Sequence, residues 1–168
     1  MSAGTDLLID AFGRIRETVE EVVTGLGPEE LAASPGGGNP VGWLVWHLTR
    51  VQDDHIADAA GTEQVWTAQG WAHRFGLTLP ASDTGYGHSR REVAAVRALT
   101  ARQLLGYHDA VYAVTLRFVE DLQVKDLAQV IDRSWDPPVT LAVRLISVVC
   151  DDLQHVGQAA YARGLLGG

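Results

Sequence analysis

Four long stretches of the sequence repeat their apolar residues every three or four positions, which is the period of an amphipathic α-helix. They cover about residues 5–24, 40–60, 100–122 and 139–166. Residues 61–87, between the second and third stretches, show no sustained period. Because an amphipathic helix must bury its apolar face against another element, this pattern predicts an all-α four-helix bundle with a long insertion between helices 2 and 3.

Local signals mark where the predicted helices begin and end. Asn39 followed by Pro40 is typical of a helix start, with Asn as the N-cap and Pro at the first helical position. Gly61 ends the same helix. Ser89 is expected to cap a short helix over residues 90–99.

The insertion is rich in large apolar side chains. Trp66, Trp71, Phe75 and Leu77 all fall within it, which is too many for a free loop. We therefore expect an ordered excursion with one short helical piece, folded back over the bundle. In this interpretation Trp66, Trp71 and Phe75 form a wall of a substrate pocket.

Length, charge and cysteine content restrict the class of protein. A chain of 168 residues fits one domain, so we expect residues 1–168 to form a single unit. The formal net charge of −8, without a Lys/Arg run, disfavours binding to nucleic acid. No stretch reads as a membrane span or a signal peptide. The single cysteine, Cys150, is expected in the core, and the sequence predicts a soluble cytoplasmic protein.

Two ionisable residues, Asp151 and His155, interrupt the apolar pattern of the last predicted helix. Their four-residue spacing puts them on one helix face, where a carboxylate and an imidazole can share a divalent cation. A catalytic metal usually has three protein ligands and an open position. His47 on the second predicted helix is the matching third ligand. Since facing helices of a bundle can hold a metal between them, the sequence predicts a site made by His47, Asp151 and His155.

Simpler explanations of this spacing stay open. Asp151 and His155 would also form a hydrogen-bonded pair without a metal, and a lone histidine such as His47 is often half-buried and satisfied by hydrogen bonds. Asp152 competes with Asp151, because a three-residue spacing to His155 is also within reach on a helix. We favour Asp151 as the ligand. Asp152 is expected to face the neighbouring helix, where it pairs with an arginine or orients His47.

Further side chains are predicted to surround the ligands, although none is assigned a catalytic role. Those expected behind the ligands or in the pocket are Arg50, Asp54, Arg144, Asp152, Gln158, Trp66 and Trp71. Asp54 lies two turns from His47, about 10 Å along the axis, so it is expected to form a salt bridge or to line the pocket rather than to bind the same ion. For the arginines, Arg163 included, the alternative is an ion pair with Asp53, Asp54 or Asp152. The histidines expected at the surface or the pocket rim are His55, His73, His88 and His108.

Three segments together resemble a known family. They read G-W-L-V-W-H-L-T-R at residues 42–50, D-D-H at 53–55 and D-D-L-Q-H-V-G-Q at 151–158. They are similar to the DinB-like superfamily, and most of all to its actinobacterial branch related to the metal-binding domain of mycothiol-dependent maleylpyruvate isomerase. The resemblance implies an up-up-down-down four-helix bundle with a long crossover after the second helix.

The resemblance also implies a cofactor and a chemistry. Members of the superfamily commonly bind zinc or nickel through three histidines. In the isomerase, a residue with a carboxylate side chain replaces one of these histidines. Carried over, these positions are His47, Asp151 and His155, with Asp where the isomerase would suggest Glu. Mycothiol or a similar thiol is the implied co-substrate. A bound metal with an open position deprotonates a thiol, and the thiolate then attacks a small electrophile.

Three functions are compatible with these observations. The first is a metal-dependent thiol S-transferase or isomerase-like enzyme, in which Arg50 or Arg144 binds a carboxylate of the thiol or the substrate. The second is a metal-dependent hydrolase, with Asp54 or Asp152 as the base. The third is a non-enzymatic protein that binds a metal or a small ligand. A thiol requirement for turnover separates the first two. The expected partners are a small-molecule substrate and, in a homodimer, a second copy, without nucleic acid or membrane.

Overall fold

The computed structural model describes residues 2–167 and confirms the all-α prediction. Apart from two 3₁₀ turns (Pro35–Gly37 and Asp126–Ala128), its helices are α1 Ala3–Val23, α2 Pro28–Ala32, α3 Val41–Ala60, α4 Val65–Ala68, α5 Trp71–Phe75, α6 Arg90–Ala95, α7 Ala101–Asp121 and α8 Leu141–Leu166. A small antiparallel hairpin precedes α8, with strands β1 Val130–Asp132 and β2 Val139–Thr140. Four long helices therefore account for the four periodic stretches.

Side-chain caps explain the starts of α1, α6, α7 and α8. Ser89 caps α6 as predicted, and Thr100 caps α7 by accepting a hydrogen bond from the backbone N–H of Gln103. The prediction for α3 was wrong by one residue. Pro40 itself occupies the N-cap position, the helix begins at Val41, and no side-chain cap bond forms. Proline fits there because a backbone N–H at this position has no partner within the helix, so the lack of an N–H in proline costs no hydrogen bond.

The four long helices form a bundle in which α1 and α3 each contact α7 and α8. Side-chain pairs give the helix directions. Arg16 of α1 meets Asp109 of α7, and His55 of α3 meets Arg144 of α8, while Arg163 near the end of α8 binds the end of α1 at Thr24. Thr49 and Gln52 of α3 meet His108 and Thr115 of α7 in the same order, so α3 and α7 are parallel. His47 and His55 of α3 meet His155 and Arg144 of α8 in the reverse order, so α3 and α8 are antiparallel. The helices α1 and α8 are parallel, because their first turns line one pocket and their last turns meet at Thr24 and Arg163. The chain therefore runs up-down-down-up, which corrects the up-up-down-down order implied by the resemblance.

The long crossover between helices 2 and 3 of the bundle is confirmed, and the helix directions explain its length. Because α3 and α7 run in the same direction side by side, the chain must return along a full helix, about 30 Å for 20 residues. Residues 61–100 cover this distance. The crossover contains three short helices, α4, α5 and α6. Two of them lie in residues 61–87, where one was predicted.

Buried polar contacts fasten the crossover to the bundle. Asp53 accepts hydrogen bonds from the backbone N–H groups of Val65 and Trp66, both at 2.8 Å, and so caps α4 from outside. Arg50, which is 0% exposed, donates to the carbonyl oxygens of Ala81 and Asp83 at 3.3 and 3.1 Å. The crossover path is thus set by side chains of α3.

The predicted burial is wrong for two residues, Cys150 and His108. Cys150 is exposed rather than in the core, because it lies on the outer face of α8 together with the exposed Ile146 and Leu153. His108 is buried in the core rather than at the surface, and its Nδ1 lies 3.1 Å from the hydroxyl of Thr49. Burial lowers the pKa of His108 to about 4, so the imidazole is neutral at pH 7.

Among residues 2–167, no helix combines the length and the apolar character that crossing a bilayer requires.

Candidate metal centre

The structure brings together the three residues that were predicted as ligands. His47 comes from the middle of α3 and Asp151 and His155 from α8, and the antiparallel packing of these helices makes them meet. One candidate ligand atom from each residue lies within 4.8 Å of those of the other two. The ring centroids of His47 and His155 are 4.6 Å apart, and His155 Nε2 is 3.6 Å from Asp151 Oδ1.

The orientation of His47 is fixed from behind. Its Nδ1 lies 2.6 Å from the carbonyl oxygen of Thr84. A carbonyl can only accept, so Nδ1 carries the proton and Nε2 keeps a free lone pair. Burial lowers the pKa of His47, which favours the neutral imidazole that a metal requires. This arrangement is typical of a metal-binding histidine.

His155 is held in a similar way. Its Nδ1 lies 3.3 Å from the side-chain oxygen of Gln158, which leaves Nε2 directed at Asp151. The neighbouring Asp151 raises the pKa of His155. Burial opposes ionisation of Asp151, but the adjacent imidazoles outweigh it and hold the pKa of this carboxyl below its usual range. Among the described residues, the second carboxylate oxygen of Asp151 is buried without a hydrogen-bond partner.

The loop that carries Thr84 is braced on both sides. Asp83 accepts hydrogen bonds from the backbone N–H of Gly85 at 2.8 Å and from His88 Nε2 at 2.9 Å. His88 Nδ1 in turn accepts from Trp43 Nε1 at 3.1 Å. The Trp43 ring stacks on His47 with 4.7 Å between centroids. These contacts hold the Thr84 loop against His47 Nδ1 and the Trp43 ring against the face of the imidazole.

Gly85 allows the loop to approach His47 this closely. Its φ is +91°, and a Cβ at this position would lie 2.7 Å from His47 Nδ1. A side chain here would therefore collide with the ring, in a backbone conformation that already favours glycine.

The three side chains fit a divalent transition metal. Two imidazole nitrogens and one carboxylate oxygen are ordinary zinc or nickel ligands. Bond lengths of about 2.0–2.2 Å place ligand atoms within about 4 Å of one another, so small side-chain rotations would close the set. The partnerless buried oxygen of Asp151 supports this fit, since such a group is usually satisfied in a native protein.

A cavity of about 450 Å³ opens beside His47 and Asp151, which line it, whereas His155 does not. Its histidine and aspartate lining consists of His47, Asp54, His55 and Asp151, and its remaining lining consists of Val51, Thr84, Tyr86, Trp135, Ser147 and Val148. Asp54 therefore lines the pocket as expected. His55 lies half-buried in the wall rather than at the surface, with its Nδ1 3.1 Å from Arg144 Nη1.

The predicted aromatic wall lies elsewhere. Trp66 and Trp71 pack on the bundle beside Phe75 and Tyr107, with ring centroids 5.0–6.3 Å apart, and are not among the residues lining this cavity. The aromatic lining comes instead from Tyr86 and from Trp135 in the β1–β2 hairpin.

The predicted arginines are also not in the cavity. Arg50 of α3 is fully buried with its guanidinium 3.6 Å from Asp53, and its side chain binds the crossover rather than the cavity. Arg144 lies behind His55 and pairs with Asp58 at 3.1 Å and Asp132 at 3.3 Å. Arg50 thus pairs with one of the expected aspartates, whereas Arg144 forms ion pairs with two aspartates that were not expected. Arg163 donates to carbonyl groups at the end of α1, far along α8 from His155.

Asp152 behaves differently from its expected role. It is 0% exposed, and neither carboxylate oxygen has a partner among the described residues, so no arginine pairs with it. Burial, followed by the charge of the neighbouring Asp151, raises the pKa of Asp152 well above its usual value, which favours the protonated form of the carboxyl.

Several residues of the centre escaped prediction. Trp43 lies four positions before His47, so helical spacing already placed the two on one face. Thr84, Gly85 and Tyr86 fall in a stretch of turn composition, and Trp135 in an irregular one; neither shows a period that would position a side chain.

Comparison with known proteins points to one family. Residues 7–168 match the family model described as mycothiol-S-transferase, a DinB-like family. A solved structure, the conserved protein of locus from Enterococcus faecalis, is 32% identical, with a TM-score of 0.92 over 100% of this chain and 99% of that one. The search of curated proteins gives no match.

Proposed function

Because the chain belongs to the mycothiol S-transferase family, we propose that it transfers a mycothiol-type thiol to a small electrophile with the help of a divalent metal. The observation that carries this proposal is the convergence of His47, Asp151 and His155, two of which, His47 and Asp151, line a cavity of about 450 Å³. Three protein ligands leave a position for an exchangeable group.

The ligands proposed for the ion are His47 Nε2, an oxygen of Asp151 and His155 Nε2. When bound, zinc or nickel would supply Lewis-acid chemistry that lowers the pKa of a thiol. Thr84 and Gln158 hold the two imidazoles in the required tautomer through Nδ1. In the transfer, the thiol sulfur forms a bond to an electrophilic carbon, the leaving group departs with its electron pair, and the thiol proton passes to solvent.

His55 is the further residue proposed to act in this pocket. Burial, followed by the charge of Arg144, lowers the pKa of His55 and favours the neutral imidazole. Arg144 Nη1 can only donate, so His55 Nδ1 accepts and its proton is on Nε2. His55 is therefore suited to donate a hydrogen bond to a group bound in the cavity.

The hydrolase alternative loses one of its two candidate bases. Asp152 is fully buried and does not line the cavity, so only Asp54 could act on water there. Among the described residues, nothing specific favours hydrolysis over thiol transfer.

The test measures conjugation of mycothiol with 1-chloro-2,4-dinitrobenzene, in which a C–S bond forms, the C–Cl bond breaks and chloride leaves. The Cys150→Ser variant is the appropriate background, because the exposed Cys150 thiol can itself react with the electrophile. The protein, purified without a histidine tag, should turn over only when both thiol and Zn²⁺ or Ni²⁺ are present. Turnover of an ester without thiol, or no thiol-dependent turnover with either metal, would contradict the proposal.

A further inference from the structure

We propose that the cavity selects a flat, uncharged electrophile and discriminates against one that carries a carboxylate. This inference rests on the proposed function, because it concerns the acceptor that shares the site with the thiol. It follows from two features of the cavity lining, its charge and its exposed aromatic rings.

The charge of the lining is unfavourable for an anion. None of its residues is Lys or Arg, whereas Asp54 and Asp151 contribute two carboxylates. The guanidinium closest to the wall, that of Arg144, is already engaged by Asp58 and Asp132. The two positive charges of a divalent ion would be offset by Asp151 and the bound thiolate. Asp54 would then repel a substrate carboxylate. Exclusion of water from the cleft strengthens this repulsion, because it lowers the local dielectric constant.

The shape of the lining favours a planar group. Tyr86 is 91% exposed and Trp135 is 67% exposed, although both side chains are large and apolar. They come from separate segments, the loop after Gly85 and the β1–β2 hairpin, and both line the same cavity. Val51 and Val148 add apolar surface. Exposed Tyr and Trp rings supply rigid stacking surfaces at low entropy cost, so a flat ring would recover their burial.

The hairpin holds its tryptophan on a stable base. Asp132 accepts hydrogen bonds from the backbone N–H and the hydroxyl of Ser134 at 2.9 and 2.6 Å. Arg144 binds the other oxygen of Asp132 at 3.3 Å. The turn before Trp135 is thereby tied to α8, next to Ser147 and Val148 of the cavity.

The experiment compares two unreactive ligands that differ by one carboxylate, 1,3-dinitrobenzene and 3,5-dinitrobenzoate, by quenching of tryptophan fluorescence in the protein loaded with both Zn²⁺ and mycothiol. Trp135 is the exposed tryptophan, whereas Trp43, Trp46 and Trp66 are buried. The neutral ligand should bind about tenfold more tightly or better, as expected for one unscreened charge pair. In Trp135→Phe most of the quenching should disappear, and Trp135→Ala should weaken the neutral ligand.

The charge contribution is isolated by matched variants. Asp54→Asn should reduce the preference to about threefold or less, because it removes the repelling charge and keeps an acceptor oxygen for Gln64. Glu63→Gln makes the same charge change at an exposed position outside the cavity and should leave the preference unchanged. Equal or tighter binding of the benzoate, quenching that survives in Trp135→Phe, or no binding of either ligand would overturn the inference. Loss of thiol-dependent turnover is a separate result that overturns the transferase proposal.

Discussion

Substitution of Gly85 by alanine should damage the metal centre although none of the three proposed ligands is replaced. The added methyl group would lie 2.7 Å from His47 Nδ1, which is too close for a real contact, and 3.0 Å from the Trp46 ring, which is a tight contact. The loop or the imidazole must therefore shift, and the 2.6 Å hydrogen bond from His47 to Thr84 is lost or lengthened. Loss of such an orienting bond typically weakens metal affinity about 10–100-fold, or about 1.4–2.7 kcal/mol.

Gly87→Ala provides a matched control in the same loop. Gly87 has φ +73°, close to the +91° of Gly85, but a Cβ there meets no heavy atom within 4 Å. Both variants should lose about 1–2 kcal/mol of folding stability from the positive φ, and only Gly85→Ala should lose metal affinity as well. The assay is Zn²⁺ competition against a chromophoric chelator, with urea unfolding of the metal-free proteins. Equal Zn²⁺ affinities for the two variants would refute the reasoning.

Three further predictions concern other parts of the molecule. His108 has a pKa of about 4 in the folded protein, so the unfolded chain alone takes up its proton between about pH 6.5 and 4. The free energy of unfolding should thus decrease as the pH is lowered through this window. In urea unfolding, His108→Gln should remove about 3 kcal/mol of this decrease, and an unchanged pH profile would contradict the prediction. Asp53→Ala leaves Arg50 buried without its charge partner and should destabilise the fold by about 3–5 kcal/mol, with less than 1 kcal/mol arguing against the account. In metal titration, Asp151→Ala should weaken binding more than Asp152→Ala, which should lose about 10–100-fold at most; the reverse order would exchange their roles.

Helical spacing predicted the bundle and the meeting of the ligands because both depend on local periodicity. Asp151 and His155 lie one turn apart on α8, and facing helices bring His47 to them. Helix direction has no such local signal. It depends on how the crossover returns, and the up-down-down-up order therefore emerged only from the contacts between helices.

The pocket walls could not be predicted for a related reason. Trp66 and Trp135 are both tryptophans in segments without a clear period, yet Trp66 is buried against the bundle and Trp135 is 67% exposed at the cavity. Loop paths are set by long-range contacts such as those of Arg50 with Ala81 and Asp83, which sequence spacing does not reveal. Cys150 shows the same limit on a helix, because periodicity gives faces but does not say which apolar face stays uncovered.

The central claim is that His47, Asp151 and His155 hold a metal that binds the thiol. The most direct measurement is the near-ultraviolet absorption of the Co²⁺-substituted protein during titration with mycothiol, in the Cys150→Ser background so that no protein thiol contributes. A thiolate-to-cobalt charge-transfer band should grow to one thiol per bound Co²⁺ and should be missing in His155→Ala. Absence of Co²⁺ uptake, or Co²⁺ uptake with a spectrum that mycothiol leaves unchanged, would contradict the account.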